Sequence, residues 1–253
     1  MSAIEVSTTF KARLLDRREV AEQTMAFFFE KPPDWTFKPG QFADLTVLNP
    51  PETDAEGNTR GFSIASAPEE DYLMFATRMR DTACKRILRS MPIGTEVKIE
   101  GPFGNLTLHN NVKRPAILLA GGIGITPFRS IVVHAAKAKS PHRIVLFHSN
   151  RRPEDAPFLA ELAGLERENP NFRYVPTMTD MKDSRLPWDG ASGQISHDLI
   201  ARFLKPLESP GFFEAAPIYY IAGPPQMVVG IRSVLTNSGI DDDNIRTEEF
   251  AGY

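Results

Sequence analysis

Apolar and polar positions follow two different rhythms along this chain. Up to about residue 110, short alternating or β-rich runs (Met25–Phe29, Phe42–Leu48, Tyr72–Phe75, Glu96–Ile99) are separated by turns. The turns fall at Lys31-Pro32-Pro33-Asp34, Pro39-Gly40 and Pro92–Gly94. Period-two alternation between Pro/Gly breaks predicts half-buried strands of a small antiparallel barrel or sandwich. One helix is expected at Ala83–Met91, with Thr82 able to cap its free N–H groups.

After Lys113-Arg114-Pro115 the rhythm changes. Ala116–Ala120 is uninterrupted apolar sequence, as a strand covered on both faces of a parallel sheet requires. A helix is expected from Pro127 to about Lys139, a strand at Arg143–Ser149, a helix at Pro157–Glu168 and a strand at Phe172–Met178. Another helix should begin near Ser196, a strand should cover Ile218–Ala222, and a helix should follow Pro224-Pro225. Alternation of buried strands with helices is the pattern of a doubly wound α/β domain. Two domains are therefore expected, residues 1–110 and 111–253.

Composition narrows the functional classes. The 253 residues carry a net charge of −3, with 42% hydrophobic and 24% charged positions, as in a soluble globular protein. Nothing in that balance draws the chain to nucleic acid. One cysteine, Cys84, excludes both an internal disulfide and an iron–sulfur cluster held by four cysteines of this chain. The five histidines lack metal-ligand spacing. No apolar run is long enough to span a bilayer and no signal-peptide core opens the chain, so a cytoplasmic location is expected.

Candidate chemistry begins at Leu118-Leu119-Ala120-Gly121-Gly122-Ile123-Gly124-Ile125-Thr126-Pro127. Loops leaving the carboxyl end of a parallel strand are where α/β domains bind ligands. Glycines there admit a phosphate close to the backbone, and the following helix offers free N–H groups and a positive dipole. Pro127 is tolerated in a first helical turn, where its missing N–H is not needed. The same glycines would also serve a tight turn with no ligand. At the end of the next strand, where an NAD-selective fold usually places a carboxylate, the chain reads His148-Ser149-Asn150-Arg151-Arg152. A hydroxyl and guanidiniums suit a ribose 2′-phosphate, which favours NADPH over NADH, although a solvated basic loop would read the same way. A second strand–glycine loop occurs at Tyr219-Tyr220-Ile221-Ala222-Gly223-Pro224-Pro225.

In the first half, Arg60-Gly61-Phe62-Ser63-Ile64-Ala65-Ser66 and Gly101-Pro102-Phe103-Gly104 complete a set of short motifs in a definite order. With the two glycine loops, they make the chain resemble the ferredoxin–NADP reductase superfamily from about Phe37 to the C-terminus. The resemblance implies an N-terminal antiparallel six-stranded flavin-binding β-barrel followed by a doubly wound parallel α/β nucleotide-binding domain. It also implies FAD as cofactor and NADP(H) or NAD(H) as reductant, without an iron–sulfur domain. By the same resemblance Arg60 binds flavin phosphate, Phe62 lies against the isoalloxazine ring, and Ser63 hydrogen-bonds near flavin N5 as a catalytic group. Gly61, Ile64, Thr77 and Arg78 belong to the same flavin site. Gly121, Gly122, Gly124, Thr126, Pro127, Ser149, Asn150 and Arg151 would hold the pyridine nucleotide, with Gly223 and Pro224 near its nicotinamide.

The chain departs from the family pattern in three places. Thr82-Ala83-Cys84-Lys85 stands where a Gly-x-x-Ser turn usually meets the pyrophosphate, so a lysine replaces the serine. A first-turn lysine opposes the helix dipole unless an anion sits there, which makes Lys85 a pyrophosphate contact or else an exposed side chain. Ala222 replaces a cysteine that the family often has near the nicotinamide. The terminus reads Thr247-Glu248-Glu249-Phe250-Ala251-Gly252-Tyr253. Glu248 aligns with the family's catalytic glutamate, and either Phe250 or Tyr253 with its flavin-shielding aromatic.

Other features carry less. Ser196-His197-Asp198 cannot form a triad from adjacent residues and reads as a helix N-cap. Asp241-Asp242-Asp243 lacks calcium-loop spacing and reads as a turn. The basic run from Arg78 to Arg89 suits flavin phosphates in part, and in part an acidic electron carrier or a solvated face. The leading expectation is a reductase passing electrons from NAD(P)H through FAD to an external ferredoxin, flavodoxin or oxygenase component. Reduction of small molecules such as free flavin, ferric chelates or quinones is a second reading, and a non-catalytic nucleotide-binding module a third.

Overall fold

The structure is a computed structural model, and it describes residues 7–205 and 215–250. Its first sheet comprises β1 (Thr8–Ala21), β2 (Thr24–Glu30), β3 (Phe42–Val47), β4 (Thr59–Ser63), β5 (Tyr72–Arg78) and β6 (Glu96–Phe103). All pairings are antiparallel, in the order β4-β3-β6-β1-β2-β5. The two edges meet where Ile64 bridges Phe75 and Ala65 N–H donates to Met74 O at 2.8 Å, which closes a barrel. Leu14, Phe27, Phe29, Leu45, Phe75 and Ile99 fill its interior.

β1 is a strand that the residue pattern does not predict. Its alternation is legible only over Phe10-Lys11-Ala12-Arg13-Leu14, where Ala12 and Leu14 are buried. Beyond Leu14 the register shifts and the strand changes partner: residues 8–13 pair with β6 and residues 14–21 with β2. A bulge of this kind breaks the period-two signal. The barrel's one helix, α1 (Ala83–Ser90), starts as expected after Thr82, whose hydroxyl accepts from Lys85 N–H at 3.4 Å.

The second sheet contains β7 (Ala116–Gly121), β8 (Ile144–Asn150), β9 (Phe172–Met178), β10 (Ala191–Ser192), β11 (Ile218–Gly223) and β12 (Ile245–Glu249). All are parallel, in the order β10-β9-β8-β7-β11-β12. Its helices are α2 (Ile125–Lys137), α3 (Leu159–Glu168), α4 (His197–Leu204) and α5 (Pro225–Asn237). Every residue of β7 and β11 is buried, as strands covered on both faces must be. One face packs α2 and α3 together with Ala26, Phe28, Met74 and Ala76 of the barrel, so a single apolar core joins the two sheets. The other face packs α4 and α5.

α2 begins two residues earlier than the proline suggests: Gly122–Gly124 form a 3-10 turn that runs directly into Ile125. Pro127 still lies within the first turn, where no partner N–H is lost. α3 starts at Leu159 rather than at Pro157, because Phe158 adopts a left-handed conformation (φ 61°) that cannot continue a helix backward.

Candidate cofactor and nucleotide site

Successive strands run outward from β7 through β8, β9 and β10, whereas β11 and β12 lie on its other side. The crossing point between β7 and β11 is where an open α/β sheet opens a crevice at its carboxyl edge. Both glycine loops end there. Their glycines answer a steric demand. A Cβ on Gly124 would sit 2.3 Å from the Ala222 carbonyl oxygen, and one on Gly121 would sit 2.1 Å from Met227 Sδ. Gly122 adopts φ 48°, the left-handed region. Close approach of this turn to the β11 backbone therefore dictates Gly124, the Pro224 and Met227 side chains crowd Gly121, and the turn itself dictates Gly122.

A buried histidine braces this loop, a role with no signature in the sequence. His148 on β8 is fully buried, with Nε2 2.9 Å from the Gly122 carbonyl and Nδ1 2.9 Å from the Tyr174 hydroxyl. The carbonyl can only accept, so Nε2 carries the proton and Nδ1 accepts from Tyr174. Burial pushes this imidazole down to about 4, so the ring stays neutral and the loop gains rigidity rather than charge.

A cleft of about 680 Å³ opens at the switch point, lined by Gly121, Gly122, Ser149, Asn150, Arg151 and Pro224 and by Arg78 of the barrel. Residues assigned from sequence to two different cofactors thus border one space. Asn150 is 6% exposed, and among the described residues neither its amide nitrogen nor its amide oxygen has a partner. Such a group is costly unless a ligand satisfies it.

Several expectations are corrected in detail. Arg152 does not reach the cleft as a second guanidinium. It pairs with Asp155 through Nε and Nη2 at 3.0 and 3.1 Å, and Nη2 lies 3.5 Å from Glu22 of the barrel. Of the two neighbours, Arg151 borders the cleft, 58% exposed and 3.5 Å from Asp155. Asp155, a carboxylate that no motif marks, also lines it. Thr126 and Pro127 lie buried in α2, and the Thr126 hydroxyl donates to the Ile123 carbonyl at 3.0 Å. Their effect on any ligand is through the shape of the turn.

The barrel half of the site surrounds β4 and the start of α1. Ser63 is 4% exposed and its hydroxyl has no partner among the described residues, an orphan that suits the polar edge of a bound ring. Phe62 is half-buried against Phe75, with ring centroids 6.2 Å apart. Ile64 is wholly buried, Gly61 is exposed and Thr77 is buried beside Arg78. Arg60 is held by the preceding loop, with Nη2 2.7 Å from Asp54 and Nε 3.0 Å from Glu56.

Ala83 and Cys84 are core residues, and burial pushes the Cys84 thiol up, away from redox reactivity. Lys85 is not an exposed side chain. Its ammonium donates to the Arg78 carbonyl at 2.8 Å, and burial lowers its pKa. At the other end, Glu248 sits on β12 opposite Ala222, and burial pushes its carboxyl up to about 7. Phe250 N–H donates to Gly223 O at 3.0 Å, and the ring packs on the core shared by both sheets. Tyr253 lies outside the described residues.

An unpartnered hydroxyl on β4, an unpartnered amide in the cleft and two glycine loops at a switch point fit a flavin and a pyridine nucleotide. Comparison with known proteins agrees. Residues 118–233 match the family described as oxidoreductase NAD-binding domain. That match makes this segment similar to an NAD-binding oxidoreductase domain, and the two-sheet fold is shared with ferredoxin reductase-like proteins of known structure.

Among particular relatives, the chain is 26% identical over 231 residues to the glycine betaine monooxygenase reductase subunit of Chromohalobacter salexigens. The match covers 90% of this chain and 60% of that protein. It is 29% identical over 206 residues to one component of the Na(+)-translocating NADH-quinone reductase of Methylococcus capsulatus, covering 76% and 49%. The chain thus spans about half to three fifths of the length of these relatives. A ferredoxin NADP+ reductase from Neisseria gonorrhoeae with bound FAD and NADP superposes with a TM-score of 0.73 at 23% identity, covering 95% and 98% of the two chains.

Proposed function

We propose that this protein takes a hydride from NAD(P)H, with NADPH favoured, onto FAD and passes the electrons to a separate acceptor such as ferredoxin, flavodoxin or an oxygenase component. The observation that carries this reading is the shared cleft: Arg78 of the barrel borders the same space as both glycine loops. Hydride transfer needs the two reacting rings at near-attack distance, and a cleft bordered by both halves would bring them together.

Bound FAD would supply the hydride-accepting and single-electron chemistry that side chains lack. The remaining work falls to the chain's residues. Ser63 offers its unpartnered hydroxyl to the ring edge near N5, and Glu248, raised to about 7, can hold or release a proton near neutrality on β12, opposite Ala222 of β11. Arg60, Thr82, Lys85 and the N–H groups of Ala83 and Cys84 serve the pyrophosphate, while Gly61, Phe62, Ile64, Thr77 and Arg78 shape the flavin bed. A C-terminal aromatic, Phe250 or Tyr253, would cover the ring in the absence of nicotinamide. Gly121, Gly122 and Gly124 admit the nucleotide phosphates, Asn150 supplies a ready amide, and Ser149 with Arg151 meets the 2′-phosphate. Gly223 and Pro224 border the nicotinamide. Residues 1–110 and 111–253 are the proposed flavin and nucleotide domains.

An external acceptor is supported by the relatives, one of them a monooxygenase reductase subunit. A cleft of about 800 Å³ lined by Met25 and Met79, by Arg17, Arg80, Arg86 and Arg89, and by Glu19 and Asp81 is basic on balance even with Arg86 paired to Asp81, which would suit an acidic carrier. No helix among the described residues is long and apolar enough to cross a membrane.

Purification tests the reading directly. The protein should carry flavin absorbance near roughly 450 nm that bleaches anaerobically on adding NADPH. A protein that neither carries nor takes up flavin overturns it. Stopped-flow reoxidation against ferredoxin, flavodoxin and free flavin then identifies the acceptor class.

A further inference from the structure

The loop joining β3 to β4, residues 48–58, is largely exposed, yet Asp54 turns inward. Its Oδ1 accepts from Arg60 Nη2 at 2.7 Å. Its Oδ2 accepts from the backbone N–H of Ala83, the first residue of α1, at 3.1 Å. Glu56 takes Arg60 Nε at 3.0 Å, and Nη1 donates to the carbonyls of Glu56, Gly57 and Thr59. Further out, Glu52 accepts from Arg86 of α1 through Nε at 2.9 Å, so the loop is strapped to the helix at a second point.

A guanidinium and a helix-start N–H converging on one carboxylate make a complete anion site. The anion in it belongs to the chain. Asp54 and Glu56 together bring two negative charges, about the charge of a diphosphate diester. A ligand phosphate arriving here exchanges one set of charge-assisted hydrogen bonds for another, so its net gain is only the difference between them. Meanwhile Ser63, on the same strand as Arg60, keeps a buried hydroxyl with no partner, so the ring-facing end of the strand is left for a ligand while the phosphate-facing end is filled.

We propose that Asp54 is an internal competitor for the flavin phosphates: the 48–58 strap fills the Arg60–Ala83 anion site, and flavin binding must displace it. This rests on the flavin reading above and adds a residue that sets flavin affinity. The strap makes the cofactor exchangeable, and it lowers the advantage of phosphate-bearing flavins over riboflavin.

The test uses flavin-stripped full-length protein titrated with FAD and with riboflavin, followed by quenching of flavin fluorescence. Asp54→Asn preserves shape and removes the charge. It should tighten FAD binding by about tenfold and leave riboflavin within about twofold. Glu52→Gln, which loosens the outer tie without touching the anion site, should tighten FAD by about two- to threefold. Unchanged or weaker FAD binding by Asp54→Asn, in a protein with wild-type melting temperature, overturns the competitor role. Weaker binding would mean that Asp54 orients Arg60 for the phosphate. If neither wild type nor variant binds FAD, the flavin reading falls and this proposal falls with it. Normal wild-type binding with no gain in the variant sinks the proposal alone.

Discussion

Arg129 of α2 donates through Nη1 to the carbonyl oxygen of Ala65 at 2.7 Å, just past Ser63 at the end of β4. The next residue repeats the grip, with Ser130 Oγ donating to Ser66 O at 2.7 Å. The helix that follows the first glycine loop is thereby pinned to the segment that carries the proposed flavin residues. Arg129 is 4% exposed and also pairs with Glu70 at 3.0 Å and with Glu161. Burial alone would push the Glu70 carboxyl up, but the Arg129 guanidinium holds it below its ordinary value.

Arg129→Met should cost about 3–5 kcal/mol in urea unfolding, because it leaves the buried Glu70 carboxylate without its cation, held only by the Ala67 N–H and the Tyr72 hydroxyl. A double replacement, Arg129→Met with Glu70→Leu, should recover much of that loss. If the double variant is no better than the single one, the ion pair is not what holds the two sheets together.

Gly124→Ala places a methyl 2.3 Å from the Ala222 carbonyl, backbone that cannot step aside cheaply. The expected result is a destabilisation of about 1–3 kcal/mol and loss of NADPH binding, with flavin retained on the barrel. Calorimetric titration with NADP+ and the flavin spectrum read the two effects separately. A variant with full NADP+ affinity would show that the loops need not pack so closely.

Arg151→Ala should raise the KM for NADPH by about 10–100-fold while moving that for NADH by no more than about twofold. Steady-state kinetics with both reductants decide it. Equal loss for both removes the 2′-phosphate role. Arg152→Ala should instead lower stability, since its guanidinium joins Asp155 to Glu22 of the barrel.

Glu248 gives a pH test. Its carboxyl is raised to about 7 in the folded protein, so its favourable contribution is complete below the ordinary carboxylate value and is lost as pH rises through 7. Glu248→Gln should therefore gain stability relative to wild type between about pH 5 and pH 8, by about 1–3 kcal/mol at the upper end. Urea unfolding at several pH values across that window measures it. A constant difference between the two proteins would place the carboxyl at an ordinary pKa.

Much of the fold could be read from local pattern. β7, β8, β9 and β11 are largely apolar runs, and Thr82 and Ser196 cap their helices as their chemistry suggests. β1 escapes because a bulge and a change of partner break its alternation. His148 escapes because a lone histidine at a strand end carries no spacing signal, and its role depends on Gly122 and Tyr174 arriving from elsewhere. Asp54 escapes for the same reason: a loop aspartate looks solvated until Arg60 and Ala83 N–H are seen to converge on it.

Residue order alone determined the two halves, the loops that meet at the carboxyl edge of the sheet, and the residue types available for phosphate and ring contacts. Those properties are short-range, set by alternation, capping and backbone permissiveness. Only the tertiary structure decided which guanidiniums are available. It commits Arg152 to Asp155 and Arg60 to Asp54, leaves Arg151 at the cleft, and locks Arg129 between the sheets. An arginine's role depends on which carboxylates the fold brings within reach, and such a partner can lie far off in sequence, as Glu70 does from Arg129 at 59 residues.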